Sequence, residues 1–315
     1  MNKKVLMIID DYYKIPVRDL LEKLLNCEVE VIYNSNLENA LEDDGNIILN
    51  YHDKIMFYNT CCTLKKKGYK FESYNISNYI FKNYKIVKNI NPNINIFKYI
   101  KYTILIKFII YLLSNIQMYI RKNIGFEIND GSFDRIIKTM NNNIHKDENI
   151  IKILKKYFYY KERFNNIALD KPKKYLKLGI ISNEYIPKNL YYDYTLEKLL
   201  SNKNIEPLRY INNPITNRLK TRYYRYKIRK YCKNNIGNNI IKNIYNVLKL
   251  KKRKCNAVLL LMNKNNYQDI ILSILLESIC FKEKMTFLKL DFEIINEEKL
   301  ENNINAFYDI LNLNK

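Results

Sequence analysis

Glycine, proline, cysteine and histidine are all scarce in this chain of 315 residues: six Gly, six Pro, six Cys and two His, with no Trp. Each shortage excludes something. No Gly-x-Gly-x-x-Gly and no Gly-x-x-x-x-Gly-Lys-Ser/Thr run is present, so P-loop nucleotide chemistry lacks the glycines that let backbone amides reach a phosphate. Gly-x-Ser-x-Gly is missing too, and with it the strained elbow of the α/β-hydrolases. Collagen-like and linker-type low complexity need far more Gly and Pro. Six Cys over this length do not make a disulfide scaffold, and none forms a Cys-x-x-Cys pair. The two histidines, His52 and His145, are far apart in sequence, which argues against a His-based zinc site. Nothing after Met1-Asn2-Lys3-Lys4 reads as a secretory leader with a small-residue cleavage site, so a reducing cytoplasm is the expected compartment. A long apolar run is lacking as well. Lys98, Lys101 and Lys107 interrupt the most apolar window, Ile94 to Ile120, and its longest uncharged stretch is about 13 residues against the ~20 needed for a span. The window reads as a buried amphipathic helix, and no membrane span is expected.

What is abundant is Lys, Asn, Ile and Tyr, the residues favoured by an AT-rich genome. The formal net charge is +22, from 54 Lys+Arg and 32 Asp+Glu. Spread evenly, such a charge is weaker evidence for nucleic acid than a local cluster. Hydrophobic residues make up 47%, which suits a globular chain and is too high for a disordered one.

Apolar runs and helical spacings alternate at both ends of the chain. Lys4–Ile9, Val29–Tyr33, Asn46–Asn50 and Tyr69–Tyr74 read as strands, with helical patterns between them. Residues from about Asn75 to Ala168 read as helices. Alternation then resumes, with strands at Leu176–Ser182, Glu206–Ile211, Ala257–Met262 and Met285–Leu290. Strands separated by helices predict parallel sheets. The expected fold is α/β: two Rossmann-like lobes with parallel sheets, 1–95 and 169–315, and a helical insert, 96–168, between them. Ligands of such sheets bind beyond the carboxyl ends of the strands, which predicts a cleft lined by the loops at Asp10–Pro16, Tyr51–Lys54, Ser182–Tyr192, Asn263–Asn266 and Asp291–Glu293.

Several of these loops have a familiar look. The run Ala257-Val-Leu-Leu-Leu-Met262, the loop Asn263–Asn266 and the helix opening Tyr267-Gln268-Asp269 resemble a strand–loop–helix of the 2-hydroxyacyl-CoA dehydratase superfamily, which includes the acyl-CoA dehydratase activase-related proteins. Phe287-Leu-Lys-Leu-Asp291 and the later Asn305-Ala306-Phe307-Tyr308-Asp309-Ile310-Leu311 are similar to that family's last strand and helix. Lys177-Leu-Gly-Ile-Ile-Ser-Asn-Glu-Tyr185 with Tyr192-Asp193-Tyr-Thr-Leu-Glu-Lys-Leu-Leu200 resembles the opening of its second lobe. The N-terminal strand, helix and strand through Tyr33 fit its first lobe. The likeness spans nearly the whole chain, loosely, and rests on the order of these partial matches.

The resemblance implies a lyase: iron–sulfur-dependent dehydration of a 2-hydroxyacyl-CoA, with an acyl-CoA in the cleft and a second dehydratase-like subunit or an activator ATPase as partner. It also implies departures. Where the family places a cluster Cys after the strand, this chain has Asn266, and the family Glu falls near Asp269. The first-lobe ligand falls near Lys54. Soft iron needs thiolates, which Asn and Lys do not supply. The chain therefore looks like a degenerate homologue with a non-catalytic or accessory role.

Other side chains carry chemistry of their own. Cys61 and Cys62 are the candidate cluster ligands, a few residues past Lys54, although adjacent helical residues diverge and buried cysteines are commonly packing groups. His52 lies at the carboxyl end of a strand. Asp10 and Asp11 end the first strand, and Asp291 and Glu293 the last; either pair could do acid–base work or simply cap helices. Glu184 and Tyr185 could line the cleft. A basic helix carries Arg218, Arg222, Arg225 and Arg229 interleaved with tyrosines, a pattern that could bind phosphates or stack on bases. This supports two alternatives: a nucleic-acid- or anion-binding protein using Arg218–Lys233, or a two-lobed sugar-nucleotide transferase.

Overall fold

The structure, a computed structural model, describes residues 5–8, 18–32, 46–50, 61–75, 80–143, 149–182, 194–209, 218–232, 237–291 and 297–313. It divides into two compact units, one of residues 1–114 with 135–163, the other of residues 115–134 with 164–315.

The first unit contains β1 (Val5–Ile8), α1 (Arg18–Leu25), β2 (Val29–Ile32), β3 (Asn46–Asn50) and β4 (Phe71–Asn75). Its four strands are parallel in the order β2-β1-β3-β4. Helices α2 (Ile80–Ile90), α3 (Ile96–Asn123), α4 (Ser132–Asn143) and α5 (Ile150–Asn165) follow. α3 belongs to the first unit up to Ser114 and to the second from Asn115. It is long and apolar enough to cross a membrane by length and composition, with a mean hydropathy of 1.6 over an 18-residue window, yet 59% of that window is buried inside the protein. Ile109, Leu113, Ile116 and Ile120 are all buried. The helix is apolar on most of its circumference rather than along one stripe, the pattern of a core helix and a correction to the amphipathic reading. In α5 the inward row is Ile153, Tyr157, Tyr160 and Phe164. Ile150 and Ile151, in the first turn of the same helix, are exposed.

The second unit repeats the plan. β5 (Leu176–Ser182), α6 (Thr195–Asn202), β6 (Ile205–Arg209), α7 (Arg218–Ile228), α8 (Asn238–Lys252), β7 (Ala257–Met262), α9 (Tyr267–Lys282), β8 (Thr286–Asp291) and α10 (Glu297–Leu313) form a parallel sheet in the order β6-β5-β7-β8 with helices on both faces. β7 shows why. Every residue of Ala-Val-Leu-Leu-Leu-Met is buried, as in a strand covered on both sides. Val258, Leu260 and Met262 pack with Ile240, Ile244 and Val247 of α8 and Leu272 and Leu276 of α9. The alternate residues Ala257, Leu259 and Leu261 pack with Leu196 and Leu200 of α6 and Leu300 and Ile304 of α10. Gly179 of β5 permits a close approach: a Cβ there would lie 2.5 Å from Leu250 Cδ1 of α8.

The shortage of glycine leaves a trace in the turns. Four helix-to-strand turns place a non-glycine residue in the left-handed region: Asn26 (φ 53°) before β2, Asn204 (56°) before β6, Lys254 (58°) before β7 and Lys284 (55°) before β8. Glycine normally takes this place. The turns close with paired bonds, such as Lys254 N–H to Lys251 O at 2.8 Å and Cys255 N–H to Leu250 O at 3.2 Å.

Candidate functional site

In a sheet of this order the crossovers diverge to opposite faces at the carboxyl ends of the two middle strands, and that point is where ligands bind. In the second unit it lies between Ser182 of β5 and Met262 of β7. The loop after Met262 folds on its own polar groups. Asn263 N–H donates to Asp269 Oδ2 at 2.9 Å, Asn265 N–H to Asn263 Oδ1 at 2.7 Å, and Gln268 N–H to Asn266 Oδ1 at 2.9 Å. Asn266 is thereby the N-cap of α9, and Asp269, fully buried in its first turn, anchors the loop. At the end of β8, Asp291 Oδ2 is 3.3 Å from Lys264 Nζ.

Beside this edge lies a cluster of buried charge that the sequence reading missed. Glu197, in the first turn of α6, is wholly buried. Arg121 Nη1 from the last turn of α3 reaches its Oε1 at 2.5 Å, and Arg209 Nη1 at the carboxyl end of β6 lies 3.5 Å from the same oxygen. Arg121 is 1% exposed. Its guanidinium sits 5.0 Å from the ring centroid of Tyr194, whose hydroxyl accepts from Gln117 Nε2 at 2.8 Å. Tyr194 is itself left-handed, with φ of 53°. Burial pushes its phenol up to about 12, so it stays protonated at neutral pH. Glu206, near the start of β6, is buried separately between Lys171 Nζ at 3.0 Å and Lys122 Nζ at 3.2 Å. Two guanidiniums around one carboxylate place a fixed positive centre near the strand ends and tie α3, α6 and β6 together. One signal pointed to it: an Arg inside an apolar run is buried only with a partner.

The remaining predicted residues are dispersed. Asp10, Asp11, His52, Lys54, Glu184, Tyr185 and Glu293 lie outside the described residues, as does the side chain of Arg218. Cys61 is buried and Cys62 half-buried on consecutive positions of the helical residues 61–66, so their side chains diverge by about 100°. Among the described residues no three His, Cys, Asp or Glu gather in a way that could hold a metal ion. Burial pushes the thiols of Cys255 and Cys280 up to about 12 and, with the charge of Glu22, that of Cys27 up to about 11. These are packing thiols rather than ready ligands. The described residues therefore do not fit the iron–sulfur cluster that the resemblance implies.

The basic helix α7 turns its apolar side inward. Ile228 is buried, and the Tyr224 ring stacks on Tyr245 of α8 with centroids 4.2 Å apart. Arg222, Arg225 and Arg229 are exposed. Not all of its tyrosines pack inward, since Tyr223 and Tyr226 are 50% and 70% exposed.

No protein-family model and no curated protein matches the chain. Among solved structures it is similar to the C-terminal domain of glucosamine-fructose-6-phosphate aminotransferase from Francisella tularensis, at 12% identity and a TM-score of 0.23, covering 99% of this chain and 84% of that one. It is also similar to a protein from Salmonella typhimurium LT2 designated as sugar-binding, at 10% identity and a TM-score of 0.24, covering 98% and 88%. Likenesses this remote carry no functional argument.

Proposed function

We propose that the chain is a divergent 2-hydroxyacyl-CoA dehydratase-like protein that has given up the cluster and serves as a non-catalytic or accessory subunit. The observation that carries this reading is at Asn266. The position where the family presents a cluster thiolate is used here to cap α9, and the neighbouring Asp269 is buried as the anchor of the same loop. The chain keeps the frame of the partial matches, since β5, β7, β8 and α10 are the elements that carry four of them. It does not keep the soft donor at the point where the frame would display it. A folded scaffold of this kind suits binding of an acyl-CoA, or docking to a catalytic dehydratase-like subunit, without turnover.

Iron and acid-labile sulfide per chain, measured on protein purified without oxygen, test the loss of the cluster. The expected result is none of either in a folded protein; about four irons per chain with a broad visible charge-transfer band would overturn the reading. Acyl-CoA binding is read separately from the Tm. Ligand at 100 times its Kd stabilises by about 2.7 kcal/mol, and no shift at millimolar acyl-CoA would remove the ligand from the proposal.

A further inference from the structure

The net charge of this chain is not spread evenly. Residues 207–268 hold sixteen Lys and Arg and not one of the chain's 32 Asp and Glu, so +16 of the net +22 falls in 62 residues, and the other 253 carry only +6. A compositional drift toward Lys would act along the whole chain. It does not account for a run that is rich in Arg and empty of carboxylates. This segment contains α7 and α8, and the structure shows how its charge is displayed. The apolar side of α7 is consumed by the core: Ile228 belongs to the cluster beneath β7, and Tyr224, Tyr231 and Tyr245 pack against that cluster. The outer side carries Arg222, Arg225 and Lys227, with Arg229 in the turn that follows, all exposed, and Tyr223 and Tyr226 exposed among them. The two tyrosines are three residues apart, hence on neighbouring positions of one helix face. Lys227 Nζ lies 5.5 Å from the ring centroid of Tyr223 and 5.8 Å from that of Tyr226. Each exposed ring therefore has a cation beside it.

We propose that the outer face of α7 is a binding surface for single-stranded nucleic acid. Phosphates are met by Arg222, Arg225, Lys227 and Arg229, and unpaired bases stack on Tyr223 and Tyr226. Charge complementarity selects a polyanion. The exposed planar rings select one with accessible π-faces, which a single strand has and a paired duplex does not. A lipid surface fits less well, because an interfacial helix buries an aliphatic face in the bilayer, and the apolar side of α7 is already against the protein. Part of the nearby charge is neutralised within the fold: Glu283 accepts from Tyr231 and Lys251, and lies 3.7 Å from Lys230 Nζ. The arginines of the outer face are exposed to solvent, where a polyanion can reach them.

The test is fluorescence anisotropy of the full chain with labelled oligo(dT) and oligo(U), at 50 and 200 mM salt. Four phosphate contacts predict an affinity loss of about 50-fold over that range. Arg222→Glu with Arg225→Glu abolishes binding. Tyr223→Ala and Tyr226→Ala each weaken it by at least fivefold at either salt concentration, with the far-UV spectrum and Tm of the variants showing that they fold. Binding unaffected by the arginine substitutions overturns the proposal. So does heparin binding as tightly as the oligonucleotides with no effect of either tyrosine substitution, which would make the face a general polyanion patch. Attachment to vesicles of anionic phosphatidylglycerol with no oligonucleotide binding overturns it in favour of a membrane surface.

Discussion

Glu197→Gln is the substitution whose cost the structure sets most firmly. The side chains of Glu197 and Arg121 are 0% and 1% exposed, and their atoms meet at 2.5 Å. Arg209, at 3.5 Å from the same carboxylate oxygen, is 4% exposed. Glutamine keeps the shape but removes the carboxylate charge that both buried guanidiniums face. Breaking a buried pair from one side costs about 3–5 kcal/mol, because the remaining charge is held away from water. An exposed pair gives the contrast. Lys289 Nζ and Glu277 Oε2 meet at a similar 2.6 Å, with 42% and 60% of their side chains exposed. Glu277→Gln should then cost no more than about 1 kcal/mol. The distances are nearly equal, so burial alone makes the difference. The assay is thermal and urea unfolding followed by far-UV circular dichroism. For a unit of this size 1 kcal/mol moves Tm by roughly 2–4 °C, so Glu197→Gln should lower the transition of the second unit by roughly 6–20 °C. Equal small effects from Glu197→Gln and Glu277→Gln would refute the reasoning and show that water or relaxation screens the cluster.

The other predictions concern turns, packing and thiols. Lys254→Gly and Lys284→Gly should each stabilise the second unit by about 0.5–1 kcal/mol, the left-handed penalty of a side chain minus the extra freedom of glycine in the unfolded chain; a lower urea midpoint for either would contradict the turn argument. Gly179→Ala places a methyl 2.5 Å from the fully buried Leu250 and should cost about 1–3 kcal/mol, read as an earlier unfolding transition; an unchanged transition would mean that α8 can shift away from β5. At pH 8 the thiols of Cys255 and Cys280, pushed up to about 12, stay protonated and should react with a disulfide reagent only after denaturation, after the partly exposed Cys232. Labelling of Cys280 in the native protein as fast as Cys232, located by peptide mass, would sink this.

Much of the fold follows from local pattern. Asn46–Asn50, Leu176–Ser182 and Ala257–Met262 were legible as strands to the residue, because a short apolar run between polar breaks has few other fates when it is only five to seven residues long. Parallel sheets followed from the alternation with helices, since parallel strands need a crossover between them. What the pattern left open was pairing. The order 2-1-3-4, found in both sheets, depends on which strands meet across loops and helices, and no local spacing records it. The same holds for Ile150 and Ile151: helical spacing makes them neighbours of Ile153, and only the packing of α5 leaves them exposed.

The site divides in the same way. Sequence alone marked the carboxyl ends of β7 and β8 and the basic run of α7, because strand ends and charge runs are local properties. It also placed Asn266 and Asp269 beside a strand end, but their roles as cap and anchor depend on hydrogen bonds to Gln268 and Asn263 that only the folded loop makes. The Arg121–Glu197–Arg209 cluster joins residues 76 positions apart in one pair. A charge in an apolar helix announces that it needs a partner but not which one. That choice was made by the tertiary structure, which removes these parts of α3, α6 and β6 from water together and brings both guanidiniums to the same carboxylate.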